Sequence, residues 1–139
     1  MADAFGPEVR SRIMRRIRGT DTTPELAVRR FLHRSGFRYR LHSSRLPGKP
    51  DIILPKYKAV IFVHGCFWHQ HAGCVHSGIP LTNQHYWRPK LQKTKKRDKA
   101  NVQKLTLLGW HVFIKWECEI DRGRLQSLTR ELRKIAVAN

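Results

Sequence analysis

Acidic residues are scarce in this chain. Ten Asp and Glu stand against 28 Lys and Arg among 139 residues, a formal net charge of +18, so carboxylates able to hold a hard cation are few. Long apolar runs are missing as well. No stretch reaches the ~18 residues that a bilayer crossing needs, and the N-terminal MADAFGPEVR has no apolar region of a secretory signal. The expectation is a soluble, cytoplasmic protein. Repeats, low-complexity tracts and Pro/Gly/Ser-rich linkers are absent, so 1–139 is expected to be a single domain. Cysteine is limited to three residues. An odd count, with two of the three close to histidines, favours metal binding over a disulfide framework.

The basic excess that remains favours a polyanionic partner. A membrane surface is the competing polyanion, but one basic amphipathic helix would serve it and leave the rest of the chain unexplained. Neutralising about 6–10 phosphates would make affinity fall by roughly 10³–10⁵ between about 50 and 200 mM salt. The 40% hydrophobic content is enough for a core.

The pattern predicts a helix over 7–18, with Pro7 at its start and Gly19 beyond its end. A second begins at Thr23-Pro24-Glu25, cap then Pro then acid, and stops near Gly36. Phe37 to Leu41 alternates apolar and basic residues like a half-buried strand. Asp51–Leu54 and Ala59–Val63, joined by a turn at Pro55–Tyr57, read as a hairpin in the centre of a sheet. After a His- and Cys-rich loop over 64–82 come a basic helix from about 83 to 108, a strand from Trp110 to Trp116, and a helix near 122–137. Pro89 is expected in the first turn of the basic helix. The last helix has Leu125, Leu128, Leu132 and Ile135 on one stripe. The order defines a mixed α/β domain.

His64-Gly-Cys66-Phe-Trp-His69-Gln-His71-Ala-Gly-Cys74 holds five potential ligands in eleven residues, and Cys118 follows the last strand. Structural zinc takes four thiolates or imidazoles with no open position. Cys66, His71, Cys74 and Cys118 supply a Cys₃His set that uses every cysteine and leaves His64 and His69 free. The bland alternative, buried small hydrophobes and satisfied histidines, explains one such residue more easily than a spaced cluster.

Among the carboxylates Asp51 stands out, since it opens an apolar strand after Pro50 among basic neighbours. Such an acid can hold Mg²⁺ against a phosphate; the alternative is a turn aspartate satisfied by backbone donors. The next strand carries neither a second acid nor a lysine, so a backbone carbonyl and histidines would have to complete a site. His69 can serve as general acid or base near neutral pH, with His64 assisting. Glu25 by default is a helix-dipole residue, and Asp98 a surface ion-pair partner. Phe67, Trp68 and Trp87 lie among basic residues in a manner suited to stacking on or wedging between bases. For Trp87 a core role is equally compatible, and Trp110 and Trp116 read as core.

Pro47-Gly-Lys-Pro-Asp51, Val63-His-Gly-Cys-Phe-Trp-His69 and Trp116-Glu-Cys118 together resemble the very short patch repair (Vsr) endonucleases, from about Ser11 to Cys118. The resemblance implies a restriction-endonuclease-like fold: a mixed central sheet flanked by helices, with a structural zinc site. It implies nicking on the 5′ side of the thymine in a G·T mismatch left by 5-methylcytosine deamination. Asp51 would bind Mg²⁺, His69 would handle protons with His64 near it, and Glu25 and Asp98 would lie around the active site. Cys66, His71, Cys74 and Cys118 fall on zinc positions. Phe67, Trp68 and Trp87 fall on aromatics that wedge beside the mismatch, and Met14 and Ile17 on an N-terminal DNA-contacting helix segment, 1–19, in which they too would be wedges. The implied partners are mismatched double-stranded DNA and, transiently, repair proteins such as MutL, acting on a monomer at the bacterial nucleoid. Position 63 is Val, so only its main-chain carbonyl can reach a metal; Ala72-Gly73 adds a residue to the zinc loop, and Gln70 replaces a frequent His. A zinc-dependent DNA-binding module without catalysis is the alternative, as is a nuclease of broader mismatch specificity.

Overall fold

The computed structural model describes residues 22–79 and 81–138; the helix expected over 7–18, with Met14 and Ile17, lies outside them. Helix α1 spans Thr23–Arg34. Its cap is Thr22, one residue earlier than expected, because the Thr22 side chain is the one that accepts the Glu25 N–H, at 3.3 Å. Strands β1 (Arg40–Leu41), β2 (Ile52–Leu54), β3 (Ala59–His64) and β4 (His111–Trp116) form a four-stranded sheet in the order β1-β2-β3-β4. Helix α2 spans Gln84–Leu107 and α3 spans Arg122–Ala138. Pro89 therefore sits in the second turn of α2 and not in its first.

β2 and β3 pair antiparallel across the expected turn, while β3 and β4 run parallel, Ala59 opposite His111 through His64 opposite Trp116. The connection between the parallel pair contains α2, as such a crossover requires. The expected strand over 37–41 is shorter: only Arg40 and Leu41 pair, with Ile53 and Ile52. Phe37 and Tyr39 nevertheless pack on the core, so their alternation reports burial and not a ladder.

Side-chain alternation divides the apolar residues between two faces. Ile52, Leu54, Ala59 and Ile61 meet Val28 and Leu32 of α1 and Leu125, Leu128 and Leu132 of α3. On the other face Ile53, Val60 and Phe62 pack with Leu105 of α2, and Trp110 packs against that cluster. The result is a small mixed sheet between α1 and α3 on one side and α2 on the other. No helix among the described residues is long and apolar enough to cross a membrane.

The turn that delivers Asp51 is seated on α2. Gly48 has φ +76°, and a Cβ there would lie 2.9 Å from Asn101 Cβ, one turn along α2 from Asp98. Gly48→Ala combines left-handed strain with overpacking, so it should lower stability by about 1–3 kcal/mol, measured by urea denaturation. An unchanged midpoint would mean that this turn is not held against α2.

Candidate functional site

The parallel β3–β4 pair ends with His64 beside Trp116, and the chain beyond each end supplies metal-ligating side chains. Donor atoms of Cys66, His71, Cys74 and Cys118 all lie within 4.8 Å of one another. The separations are 3.7 Å from Cys66 Sγ to His71 Nδ1, 3.3 Å from Cys118 Sγ to the same nitrogen, and 3.8 Å between Cys74 Sγ and Cys118 Sγ. A tetrahedron with Zn–S bonds of about 2.3 Å has edges of about 3.8 Å. The cluster therefore fits tetrahedral zinc, whereas disulfide sulfurs would be ~2.05 Å apart. Gly73, at φ +74°, makes a left-handed turn between His71 and Cys74. Gln70, also left-handed at φ +50°, donates from Nε2 to the Phe67 carbonyl at 2.6 Å and so braces the loop.

Two acids missed in the sequence support this cluster. Glu117 Oε1 accepts the Cys66 N–H at 3.1 Å, and Glu119 Oε1 lies 3.0 Å from His71 Nε2. The second contact leaves Nδ1 directed to the thiols, as an orienting carboxylate does for a ligating histidine. Adjacency to Cys118 was the only available signal for either. Trp116, expected in the core, stacks on His71 at 4.2 Å and meets His64 edge-on; it joins the cysteine cluster to the histidines. Burial, foremost, pushes the Cys66 thiol up to about 12, and the neighbouring thiols act on it as well. A bound cation would reverse that preference by stabilising thiolate.

A second cluster unites Glu25, His42 and Asp51. The Val63 N–H donates to Asp51 Oδ2 at 2.8 Å, which ties the carboxylate to β3. Burial raises the Asp51 carboxyl from 3.8 to about 6, against the lowering effect of the Val63 hydrogen bond. Glu25, 2% exposed in the first turn of α1, contacts Arg29 and lies 2.8 Å from His42 Nε2. It is far more deeply built in than a surface helix-dipole residue. His42 was not identified from sequence; it sits just beyond the β1–β2 ladder, its N–H donating to the Asp51 carbonyl at 3.1 Å.

His64, His69 and Asp98 form the third cluster. His69 Nδ1 is 2.5 Å from Asp98 Oδ2, so Asp98 has a buried-side partner instead of a surface one. The rings of His64 and His69 stack at 3.7 Å, 5° from parallel. Burial, then the neighbouring His69, lowers His64 to about 3, which makes it a neutral ring at physiological pH.

Phe67 and Trp68 leave the loop toward Trp87 of α2, with ring centroids 5.4 to 5.7 Å apart in all three pairings and the planes edge-on at 67° to 89°. Tyr86, another residue missed in the sequence, extends the group, 5.1 Å from Trp87. Lys90 lies over Tyr86 at 5.0 Å and over Trp68 at 6.0 Å. Along α2, Lys93, Lys95, Lys96, Arg97 and Lys99 are exposed around the single acid Asp98. Aromatics, a basic helix and three donor clusters thus converge on one end of the sheet.

That combination is the make-up of an enzyme acting on nucleic acid. Residues 2–75 match the family described as DNA mismatch endonuclease Vsr. Among relatives, a protein named type II nicking enzyme V.XorIIP from Xanthomonas oryzae is 43% identical over 95% of this chain and 97% of its own length. Type II nicking enzyme V.NmeAIP from Neisseria meningitidis is 44% identical over 96% of this chain and 98% of its own. DNA mismatch endonuclease Vsr of Escherichia coli is 40% identical over 94% of this chain and 82% of its own. The chain belongs to the Vsr family and is a DNA endonuclease.

Two measurements check the clusters as cation sites. Purified protein should carry about one zinc per chain, and Cys118→Ala should remove it and cost at least about 3 kcal/mol of stability, because structural zinc contributes ~10–16 kcal/mol of apparent binding free energy. Full stability without zinc would contradict this. Asp51 is harder on the fold as a carboxylate than as an acid. A raised folded value contributes stability below the unfolded value of 3.8 and loses it as pH rises through about 6. Without divalent cations, Asp51→Asn should therefore be more stable than wild type at pH ~7.5, by at most about 3 kcal/mol, with the difference fading below pH ~4. Equal midpoints at both pH values would show that burial does not burden this carboxylate.

Proposed function

We propose that this endonuclease nicks one strand of duplex DNA 5′ to the thymine of a G·T mismatch, using Mg²⁺ at Asp51 and structural zinc at Cys66, His71, Cys74 and Cys118. The observation that carries the reading is the meeting of a half-buried Asp51 carboxyl, its pKa raised by burial, with the His69–Asp98 pair, beside exposed basic residues and half-buried aromatics. A restriction-endonuclease-like relationship of the fold is part of the same reading, supported by the mixed sheet between helices.

Asp51 has Oδ2 committed to the Val63 N–H, and its other oxygen has no such commitment among the described hydrogen bonds. With the Val63 main-chain carbonyl, it would hold Mg²⁺, which supplies Lewis-acid stabilisation of charge on the phosphate when bound. Asp98 takes one nitrogen of His69 and so leaves Nε2 for proton transfer to or from the reacting oxygens. His64 stacks on that ring as a neutral partner, so its part is to hold His69 in plane without competing for its proton. Glu25 orients the groups around Asp51 from α1.

Phe67, Trp68 and Trp87 are the side chains offered to the mismatch. In the free protein they pack against one another, so entering a base step exchanges ring–ring contacts for base stacking worth ~1–3 kcal/mol per base. Unstacking costs a few kcal/mol and is least at a weakened pair. That balance supports selection of a mismatch over a matched duplex. The names of the relatives, mismatch endonuclease in one and nicking enzymes in the others, favour the same substrate class.

Strand-labelled duplexes with G·T, each other mismatch, or no mismatch, incubated with Mg²⁺ or EDTA, test the proposal. The expected result is one product, from the thymine strand of G·T, only with Mg²⁺. Asp51→Asn should bind this duplex and cut it at least about 10³-fold more slowly, and His69→Ala about 10²–10⁴-fold more slowly. Cleavage in EDTA, or full activity of Asp51→Asn, would overturn the mechanism; comparable cutting of all mismatches would overturn the specificity.

A further inference from the structure

His42 has no part in the mechanism above, yet its ring is directed at the same place. Three observations set it apart from an ordinary ion-pair partner. Its Nε2 lies 2.8 Å from Glu25 Oε2, and its donor atom, with those of Glu25 and Asp51, falls within a sphere of contacts no longer than 4.8 Å. Octahedral bonds of ~2.0–2.1 Å have adjacent ligands about 3 Å apart and opposed ones about 4.2 Å apart, so three such donors fit around one dication. Glu25 already contacts Arg29, so a second cationic partner is not required to make its burial tolerable. Finally, the His42 backbone adopts φ +49°, a left-handed conformation uncommon for a residue with a Cβ. Strain of this kind collects where the surrounding structure has a use for the side chain. The cross-strand contact of its N–H with the Asp51 carbonyl sets its backbone opposite Asp51, and the Glu25 contact holds the ring on that side.

We propose that His42 is a nitrogen ligand of the dication held at Asp51, making a Glu25–His42–Asp51 site suited to Mn²⁺ more than to Mg²⁺. The inference rests on the reading of Asp51 as the cation-holding carboxylate. Imidazole nitrogen favours transition metals, whereas Mg²⁺ keeps to oxygen and retains its waters. Glu25, with its side chain 3% exposed, is the inner wall of the site, and His42, at 26%, is its more exposed member.

The test uses the full chain loaded with zinc, so that added Mn²⁺ reports only on the second site. Mn²⁺ binding is followed by titration and by pulsed electron paramagnetic resonance, which detects a directly bound nitrogen. The wild type is expected to show nitrogen coupling that changes when histidine is labelled with ¹⁵N. His42→Asn, chosen because Asn tolerates left-handed backbone, should abolish that coupling and weaken Mn²⁺ binding about tenfold, while Mg²⁺ binding changes less than about threefold. His42→Gln, which retains a hydrogen-bonding partner for Glu25, should behave alike, and zinc content and circular dichroism check that both variants fold. Nitrogen coupling that persists in the two variants, or unchanged Mn²⁺ affinity, overturns the role of His42. Asp51→Asn separates the premise from the inference. If it abolishes Mn²⁺ binding while the His42 variants do not, only His42 is wrongly assigned; if Asp51→Asn itself binds Mn²⁺ as wild type does, the cation reading of Asp51 fails first.

Discussion

The parallel pairing of β3 with β4 is the constraint from which the site follows. Parallel strands end on the same side, and the open end of such a pair is where loops can gather without burying unsatisfied backbone. Because His64 is opposite Trp116, the loop leaving β3 and the turn leaving β4 start as neighbours. Cys66 and His71 from one meet Cys118 and Glu119 from the other with no long excursion of either chain. β2, antiparallel on the other side of β3, begins at that same end, and the Val63 N–H fixes the Asp51 carboxylate there. A slip of one residue between β3 and β4 would reverse the faces of β4 and separate Trp116 from both His64 and His71.

The donors so assembled are held in forms that a cation must alter. Burial raises Asp51 to about 6 and Cys66 to about 12, and it keeps His64 neutral. Each of these groups is less comfortable charged than it would be in water, in a chain whose overall balance is +18. A dication at Asp51 or among the thiols removes the penalty locally, which is how metal binding becomes linked to both stability and protonation. The same arrangement explains why the aromatic group stands where it does: Phe67 and Trp68 occupy the loop between Cys66 and His69, so a loop stiffened by zinc would also fix the rings proposed to meet DNA.

Much of this was legible in the chain itself. The element order follows from periodicity and caps, and the helical stripe Leu125, Leu128, Leu132 is buried as its spacing implies. The clustering of Cys66, His71, Cys74 and Cys118 was legible because its members are local except for Cys118. What could not be read is what tertiary register brings together. His42 carries no motif and becomes notable only through its position opposite Asp51. Glu117 and Glu119 resemble ordinary acids until the β4 turn meets the loop. Trp116 looked like core because a strand Trp usually is, yet the end of the sheet exposes its ring to two histidines. Asp98 looked like one acid among surface lysines, and α2 turns it inward to His69. β1 is shorter than its alternation implies because Phe37 is buried and Tyr39 partly buried without either being paired.

Two cations with separate tasks are the centre of the account, and locating them is its most direct test. Crystals of zinc-loaded protein soaked in Mn²⁺, measured at the absorption edges of both metals, should give a zinc peak among Cys66, His71, Cys74 and Cys118 and a manganese peak against Asp51. Manganese bound elsewhere and absent from Asp51, or a thiol cluster without zinc, would contradict it.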